Sequence, residues 1–132
     1  MTRYGIDALV AIRLAEEDVT VPDEHRLVAP SLLRSEALRI LYREVRAGQR
    51  TEQEGLAVLR RIASIPMRVL GDRVSRATAW RIAADLGWDD PAPAEYLAVV
   101  RLQADALVAL DERLVAAADG VVPVAPLSVL LP

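Results

Sequence analysis

The chain has 132 residues, no cysteine, a single histidine and a formal net charge of −3, and 53% of its residues are hydrophobic. That length supports one sizeable core, taken as a single domain over 1–132, and the lack of cysteine excludes disulfides, zinc–thiolate sites and thiol nucleophiles. With only His25, a histidine ligand cluster is excluded as well, so any metal would be held by carboxylates, which suits magnesium or manganese.

In chain order, Arg3 to Ile6 reads as a first strand, and Asp7 opens a helix over about Ala8 to Glu16, with Leu9 and Ile12 inward and Val10 a further candidate for that face. Glu17 to Arg26 is a polar connection containing Pro22, and His25 is expected to be exposed there. Leu27-Val28-Ala29 reads as a second strand. Ser31 is a candidate N-cap for a helix running to about Ala47, with Leu33, Ala37, Ile40, Leu41 and Val45 at helical spacing and Gly48 as its stop. Thr51 and Glu54 form the Thr-x-x-Glu pattern of a capping box for a helix to about Ala63. Ile65 to Leu70 is expected to be a short strand, and Val74 to Leu86 a helix closed by Gly87, with Trp80 in the core. A further helix follows Trp88-Asp89-Asp90 and runs to about Leu102; Trp88 packs or stacks on a base. Leu107 to Leu110 reads as a buried strand, Asp111 to Ala118 as a short helix closed by Gly120, and Val121 to Val124 as a last strand at a sheet edge, where Pro123 is tolerated. The apolar tail Pro126 to Pro132 packs on the domain or on a partner.

Strands and helices alternate, which predicts an α/β fold of three layers with a mostly parallel central sheet and helices on both faces. Nothing near the N-terminus resembles a signal peptide, and no apolar run is long enough to span a membrane, so a cytoplasmic location is expected. All sixteen basic residues are arginine. Eleven of them lie between Arg34 and Arg81 against five acids, a local balance of +6. A basic middle around an acidic site suits a phosphodiester substrate; solvated helix faces explain it equally well.

Three acids stand out. Asp7 and Asp111 each follow an apolar strand and precede a helix, which places both at the carboxyl edge of a parallel sheet, where open α/β folds put their ligands. Glu36 lies three residues after Leu33 and four before Ile40, on the apolar face of its helix, where a carboxylate is costly without a partner. Each acid also has a purely structural reading: helix caps for Asp7 and Asp111, a buried ion pair or local cap for Glu36.

The stretches YGIDALVAIRL around Asp7, VAPSLLRSEALRILYREVRAG around Glu36 and AEYLAVVRLQADALVALDERL ending in Asp111 together resemble the PIN domain, and more closely the VapC-type toxins of bacterial toxin–antitoxin pairs. The resemblance covers nearly the whole chain. It implies a metal-dependent endoribonuclease with Mg2+ or Mn2+ as cofactor, Asp7 and Asp111 as metal-site acids, and Glu36 supporting the metal or its water. It also implies RNA as substrate, a VapB-like antitoxin as partner, and a homodimer.

Two departures from the family pattern bear on catalysis. Aligning on Ala94-Glu95-Tyr96 puts Pro93 where the family usually has another aspartate, and Ala109 stands where it often has a hydroxyl residue. Proline is tolerated in a helix's first turn, because the N–H groups there have no intrahelical partner; the fold survives a change that removes a ligand. Glu95 is about 200° further round the helix from Pro93 and faces away. Asp90 is the nearest substitute for the missing acid, although it is also the natural cap ahead of Pro91. The expectation is therefore a nuclease of weakened activity, with a catalytically silent antitoxin- or RNA-binding module as the alternative. A different doubly wound domain binding a phosphorylated ligand is a third reading, against which stands the lack of a glycine-rich phosphate loop.

Overall fold

A computed structural model describes every residue from Met1 to Pro132. Its elements are β1 (Thr2–Ile6), α1 (Ala8–Glu16), β2 (His25–Pro30), α2 (Leu32–Arg46), α3 (Glu52–Ser64), β3 (Arg68–Leu70), α4 (Arg73–Leu86), α5 (Ala92–Gln103), β4 (Ala106–Val108) and α6 (Glu112–Ala118), followed by a 3-10 turn at Leu127–Leu130. The four strands form one sheet in the order β3-β2-β1-β4, and every pairing is parallel. The three-layer α/β expectation holds.

The strand order locates the site. The chain lays down β1, then β2 and β3 outward on one side, and returns across the sheet to place β4 on the other side of β1. The direction of winding reverses between β1 and β4, so their carboxyl ends flank the crevice in which such sheets bind ligands. Asp7 immediately follows β1, and Asp111 follows β4 after a turn at Ala109 and Leu110.

One group of helices, α1, α2 and α3, packs together, whereas α5 lies on β1, β2 and β4 with α4 packed against it. Side chains alternate between faces along a strand, and Gly5 on β1 meets α5: a Cβ there would come within 2.5 Å of Val100 Cγ2. Gly5→Ala is expected to overpack this contact and destabilise the domain by about 1–3 kcal/mol, read as a lower urea midpoint with an unchanged slope. The core runs through Ile6, Leu107 and Val108 on the strands and Leu14, Leu33, Ile62 and Leu97 on the helices. The C-terminal tail packs on the domain, since Leu130 is completely buried, which stabilises the fold by about 2 kcal/mol.

Local chemistry sets several boundaries. Thr51 Oγ1 accepts from the Glu54 N–H, and the Glu54 side chain reaches back to Thr51, completing the expected capping box. Asp72 caps α4 by accepting from Ser75 N–H at 2.8 Å. At its far end Gly87 takes a left-handed φ of 71°, which glycine adopts without a Cβ penalty. Arg50, between α2 and α3, bonds both Glu16 and Glu44 and so ties the α2–α3 hairpin to the end of α1.

Several expectations need correction. Ser31 precedes α2 but its side chain caps nothing; the residue is already in helical conformation, and its N–H donates to Leu70 O across to β3. The strand expected over Ile65 to Leu70 is confined to Arg68–Leu70, because α3 runs on to Ser64. The strand expected over Leu107 to Leu110 is instead Ala106–Val108, and Val121 to Val124 contributes only a single bridge, Val124 to Leu107. His25 is not an exposed loop residue. It begins β2, packs edge-on to Tyr4 at 5.2 Å between ring centroids, and has its Nδ1 sealed from solvent. Trp80 is not core: it is 75% exposed. The buried face of α4 is made of Ile82 and the small residues Ser75, Ala79 and Ala83, which let α4 lie close to its neighbour and leave no space for an indole. Trp88 packs against the core, as one of its two readings had it.

Candidate functional site

Asp7 is the centre of the site and one of the two buried polar residues of the domain, at 2% exposure. Its Oδ1 accepts from Val10 N–H at 2.9 Å, capping α1. Its Oδ2 accepts from Leu110 N–H at 3.1 Å and Asp111 N–H at 3.0 Å, in the turn between β4 and α6. One carboxylate thus caps a helix and clamps together two segments over a hundred residues apart. The helix cap was legible in the sequence; the clamp was not. Burial raises the Asp7 pKa above its ordinary range, and the Asp111 charge raises it further, against the lowering effect of the three N–H donors.

Asp111 caps α6, its Oδ1 accepting from Arg113 N–H at 2.9 Å and Leu114 N–H at 3.4 Å. Its other oxygen makes no hydrogen bond within the protein, and the residue is exposed. Glu36 projects from the first turns of α2, half-buried as the periodicity predicted. Burial raises its pKa, and the charges of Asp7 and Asp111 add to the rise; Tyr96 and Arg39 pull the other way. The three acids named from the sequence therefore share one electrostatic environment at the reversal between β1 and β4.

Ionised carboxylates present about four lone-pair positions each. Asp7 spends three on backbone N–H groups and Asp111 two, all on one oxygen, whereas Glu36 makes no bond that meets hydrogen-bonding geometry. Oxygen donors with unspent acceptor capacity, desolvated and mutually repelling, form the donor set that hard divalent cations take. As folded here, no three acids or histidines lie close enough together to cage an ion; Glu36, on a flexible three-carbon stem, is the group free to move in. The donors are thus all oxygens, the kind that magnesium or manganese takes, but this structure does not gather them into a cage.

Asp90 is not drawn into this group. It is exposed, its Oδ1 accepts from Ala92 N–H at 3.0 Å, and its charge acts on Glu95 rather than on Asp7 or Glu36. Glu95 is turned towards Arg76 and Asp90, away from the acids, as its helical angle predicted. Pro93 sits in the first turn of α5 without disturbing it. The residue that sequence reasoning missed is Tyr96. It is 3% exposed, and its hydroxyl lies beside Glu36 with Asp7 also near, yet meets neither at hydrogen-bonding geometry. A hydroxyl within the otherwise apolar run Tyr96 to Val100 was the available signal.

A cavity of about 670 Å³ opens elsewhere, between the end of α1, the 18–23 connection and the end of α3, and includes none of the three acids. A smaller apolar groove of about 270 Å³ lies between α2 and α3, where Leu38, Tyr42 and Leu56 are exposed. No helix is long and apolar enough to cross a membrane.

Comparison with known proteins agrees on the architecture. No family model and no curated protein matches the chain. Among solved structures, the chain is similar to the crystal structure of PAE2754 from Pyrobaculum aerophilum, with a TM-score of 0.74 and 26% sequence identity, covering 98% of this chain and 92% of that one. The similarity is that of an α/β domain over nearly the whole of both chains.

Proposed function

We propose that this chain is a PIN-like endoribonuclease of the VapC type, dependent on Mg2+ or Mn2+ and weakened by Pro93. The observation that carries the reading is the gathering of Asp7, Glu36 and Asp111 at the reversal point of a parallel sheet, two of them with pKa values raised by burial and mutual repulsion. Such perturbed carboxylates in a crevice are what phosphodiester chemistry on a divalent ion requires. When bound, the ion activates a water and neutralises charge on the leaving oxygen. Asp7 and the free oxygen of Asp111 would hold it, and Glu36 would orient its water. The Asp7 clamp keeps the first two in register, because the same N–H bonds that orient Asp7 fix the turn leading to Asp111. The surplus of arginine between Arg34 and Arg81 supplies a sequence-independent attraction for an RNA backbone.

The test is cleavage of a mixed, structured RNA pool in Mn2+ by the wild type, Asp111→Asn and Pro93→Asp. Asn keeps an oxygen for the helix cap but loses the negative charge. Cleavage that falls at least tenfold in Asp111→Asn and rises in Pro93→Asp supports the reading; no cleavage by folded wild type refutes it.

A second reading is a silent module that binds a VapB-like antitoxin, RNA or a second copy of the chain. It is favoured by Pro93 and Ala109 in place of polar site residues, by the apolar groove between α2 and α3, and by the exposure of Trp80. Exposed apolar side chains such as Leu38, Tyr42 and Leu56 along one groove commonly mark partner surfaces. Wild-type protein that neither cleaves nor binds Mn2+, yet is dimeric in solution, would favour this reading.

A further inference from the structure

The outer face of α2 is one-signed. Its exposed charged residues are Arg34, Arg39, Arg43 and Arg46, and none of them forms an ion pair. Neither acid of the helix balances them: Glu44 is bound to Arg50, and Glu36 is half-buried at the candidate site. This surplus stands in a chain whose net charge is −3. At 3.6 residues per turn, Ser35, Arg39, Tyr42 and Arg46 fall in one row about 16 Å long, with Arg43 beside it. Tyr42 is 63% exposed, and Arg39, Arg46 and Leu38 are its neighbours at three- and four-residue spacing. Glu36 lies one turn before Arg39, so the row starts beside the acids. Trp80 offers a second exposed ring, on α4, but there the exposed acids Asp72 and Asp85 accompany Arg73, Arg76 and Arg81.

We propose that the outer face of α2 is a track for single-stranded RNA, with Tyr42 stacking on a base and Arg39, Arg43 and Arg46 holding the flanking phosphates. Guanidinium groups pair with phosphate in a bidentate way, and an aromatic ring set among them accepts any base. An acidic protein surface would answer the charge alone; the exposed ring within the arginine row favours a ligand that alternates phosphates with flat bases. The inference rests on the RNA substrate of the ribonuclease reading and gives that substrate a path towards Glu36. It needs no metal.

The experiment is fluorescence anisotropy of a labelled single-stranded RNA of mixed sequence, titrated in EDTA with the full chain across a range of salt. In EDTA the metal-dependent cleavage is switched off, so binding is read apart from catalysis. Tyr42→Ala is expected to weaken binding about tenfold with an unchanged salt dependence, and Tyr42→Phe to restore it. The Arg43→Ala/Arg46→Ala pair should lower the slope of log affinity against log salt by about 1.4, two phosphate contacts at about 0.7 each, and weaken binding about twentyfold at 0.1 M salt. Arg3→Ala/Arg101→Ala removes the same charge from exposed positions off α2 and should stay within about twofold of wild type. No binding by folded wild type overturns the proposal, as does an equal loss in the two arginine pairs. A loss in Trp80→Ala without one in Tyr42→Ala also overturns it, by moving the surface to α4. If Tyr42→Ala leaves RNA binding unchanged but dissociates a dimer, the face belongs to a second copy and the proposal falls. Binding in EDTA by a protein that never cleaves in Mn2+ removes the nuclease reading and keeps the track.

Discussion

Asp7→Ala is expected to cost about 3 kcal/mol of folding stability, more than any other single change to the three acids. The substitution leaves three N–H groups without their acceptor: Val10 at the start of α1, and Leu110 and Asp111 beyond β4. Loss of a helix cap alone costs about 1 kcal/mol, and each buried N–H left unpaired adds about 1 kcal/mol or more. Relief from holding a desolvated charge offsets part of this. Asp7→Asn should fall between the wild type and alanine, since an amide presents one acceptor oxygen and must turn its NH2 towards either Val10 N–H or the Leu110–Asp111 pair. Urea unfolding at pH 7 measures both variants. An alanine variant within about 0.5 kcal/mol of wild type would refute the clamp. Under the proposed nuclease reading, loss of cleavage in an Asp7 variant would mix chemistry with folding, so Glu36 and Asp111 are the cleaner places to test for catalysis.

Glu36→Gln should separate stability from function in the opposite direction. Glu36 has no cap or clamp to lose, and its carboxylate is held half-buried beside two other acids. Its folded pKa is raised above the ordinary 4.5. Between that value and the raised one, the folded state binds more protons than the unfolded state, so the wild type loses stability as pH climbs through this window. The neutral amide does not titrate. In EDTA, Glu36→Gln is therefore expected to melt above wild type at pH 7.5, by a margin that solvent screening of a half-exposed carboxylate keeps small. The advantage should shrink as pH falls towards 4.5. Under the proposed metal-dependent reading the order reverses with Mn2+ present, because the wild type would gain ligand stabilisation that the variant lacks. On the same reading, cleavage should fall about 10–100-fold, the usual cost of losing a group that orients a metal or its water. A Glu36→Gln variant less stable than wild type at neutral pH, or a difference flat across pH, would remove the buried-charge account of this residue.

The candidate acids were legible because each carries a local signature. Asp7 and Asp111 stand between an apolar strand and a helix start, and Glu36 breaks an apolar stripe at 3.6-residue spacing. Tyr96 was missed because its ring suits an apolar helix face, and only the three-dimensional neighbourhood leaves its hydroxyl stranded. Trp80 was misplaced for a related reason: size and hydrophobicity argue for burial, but two helices that pack through Ser75, Ala79 and Ala83 exclude a large ring. His25 went the other way, drawn from a polar stretch into β2 by pairing with Thr2 on β1.

What the sequence determined by itself is the order and kind of most elements, many of their ends, and three candidate acids. Those signals act over a few residues: periodicity within one helix, a capping side chain three positions from its partner, an apolar run bounded by breakers. Only the tertiary structure decided that β4 returns to lie beside β1, and with it that Asp7 accepts hydrogen bonds from Leu110 and Asp111. It also decided that Glu36 and Tyr96, from helices in different layers, face one another. Such contacts depend on how whole elements pack, because the free energy that joins residues a hundred positions apart comes from the core that brings them together.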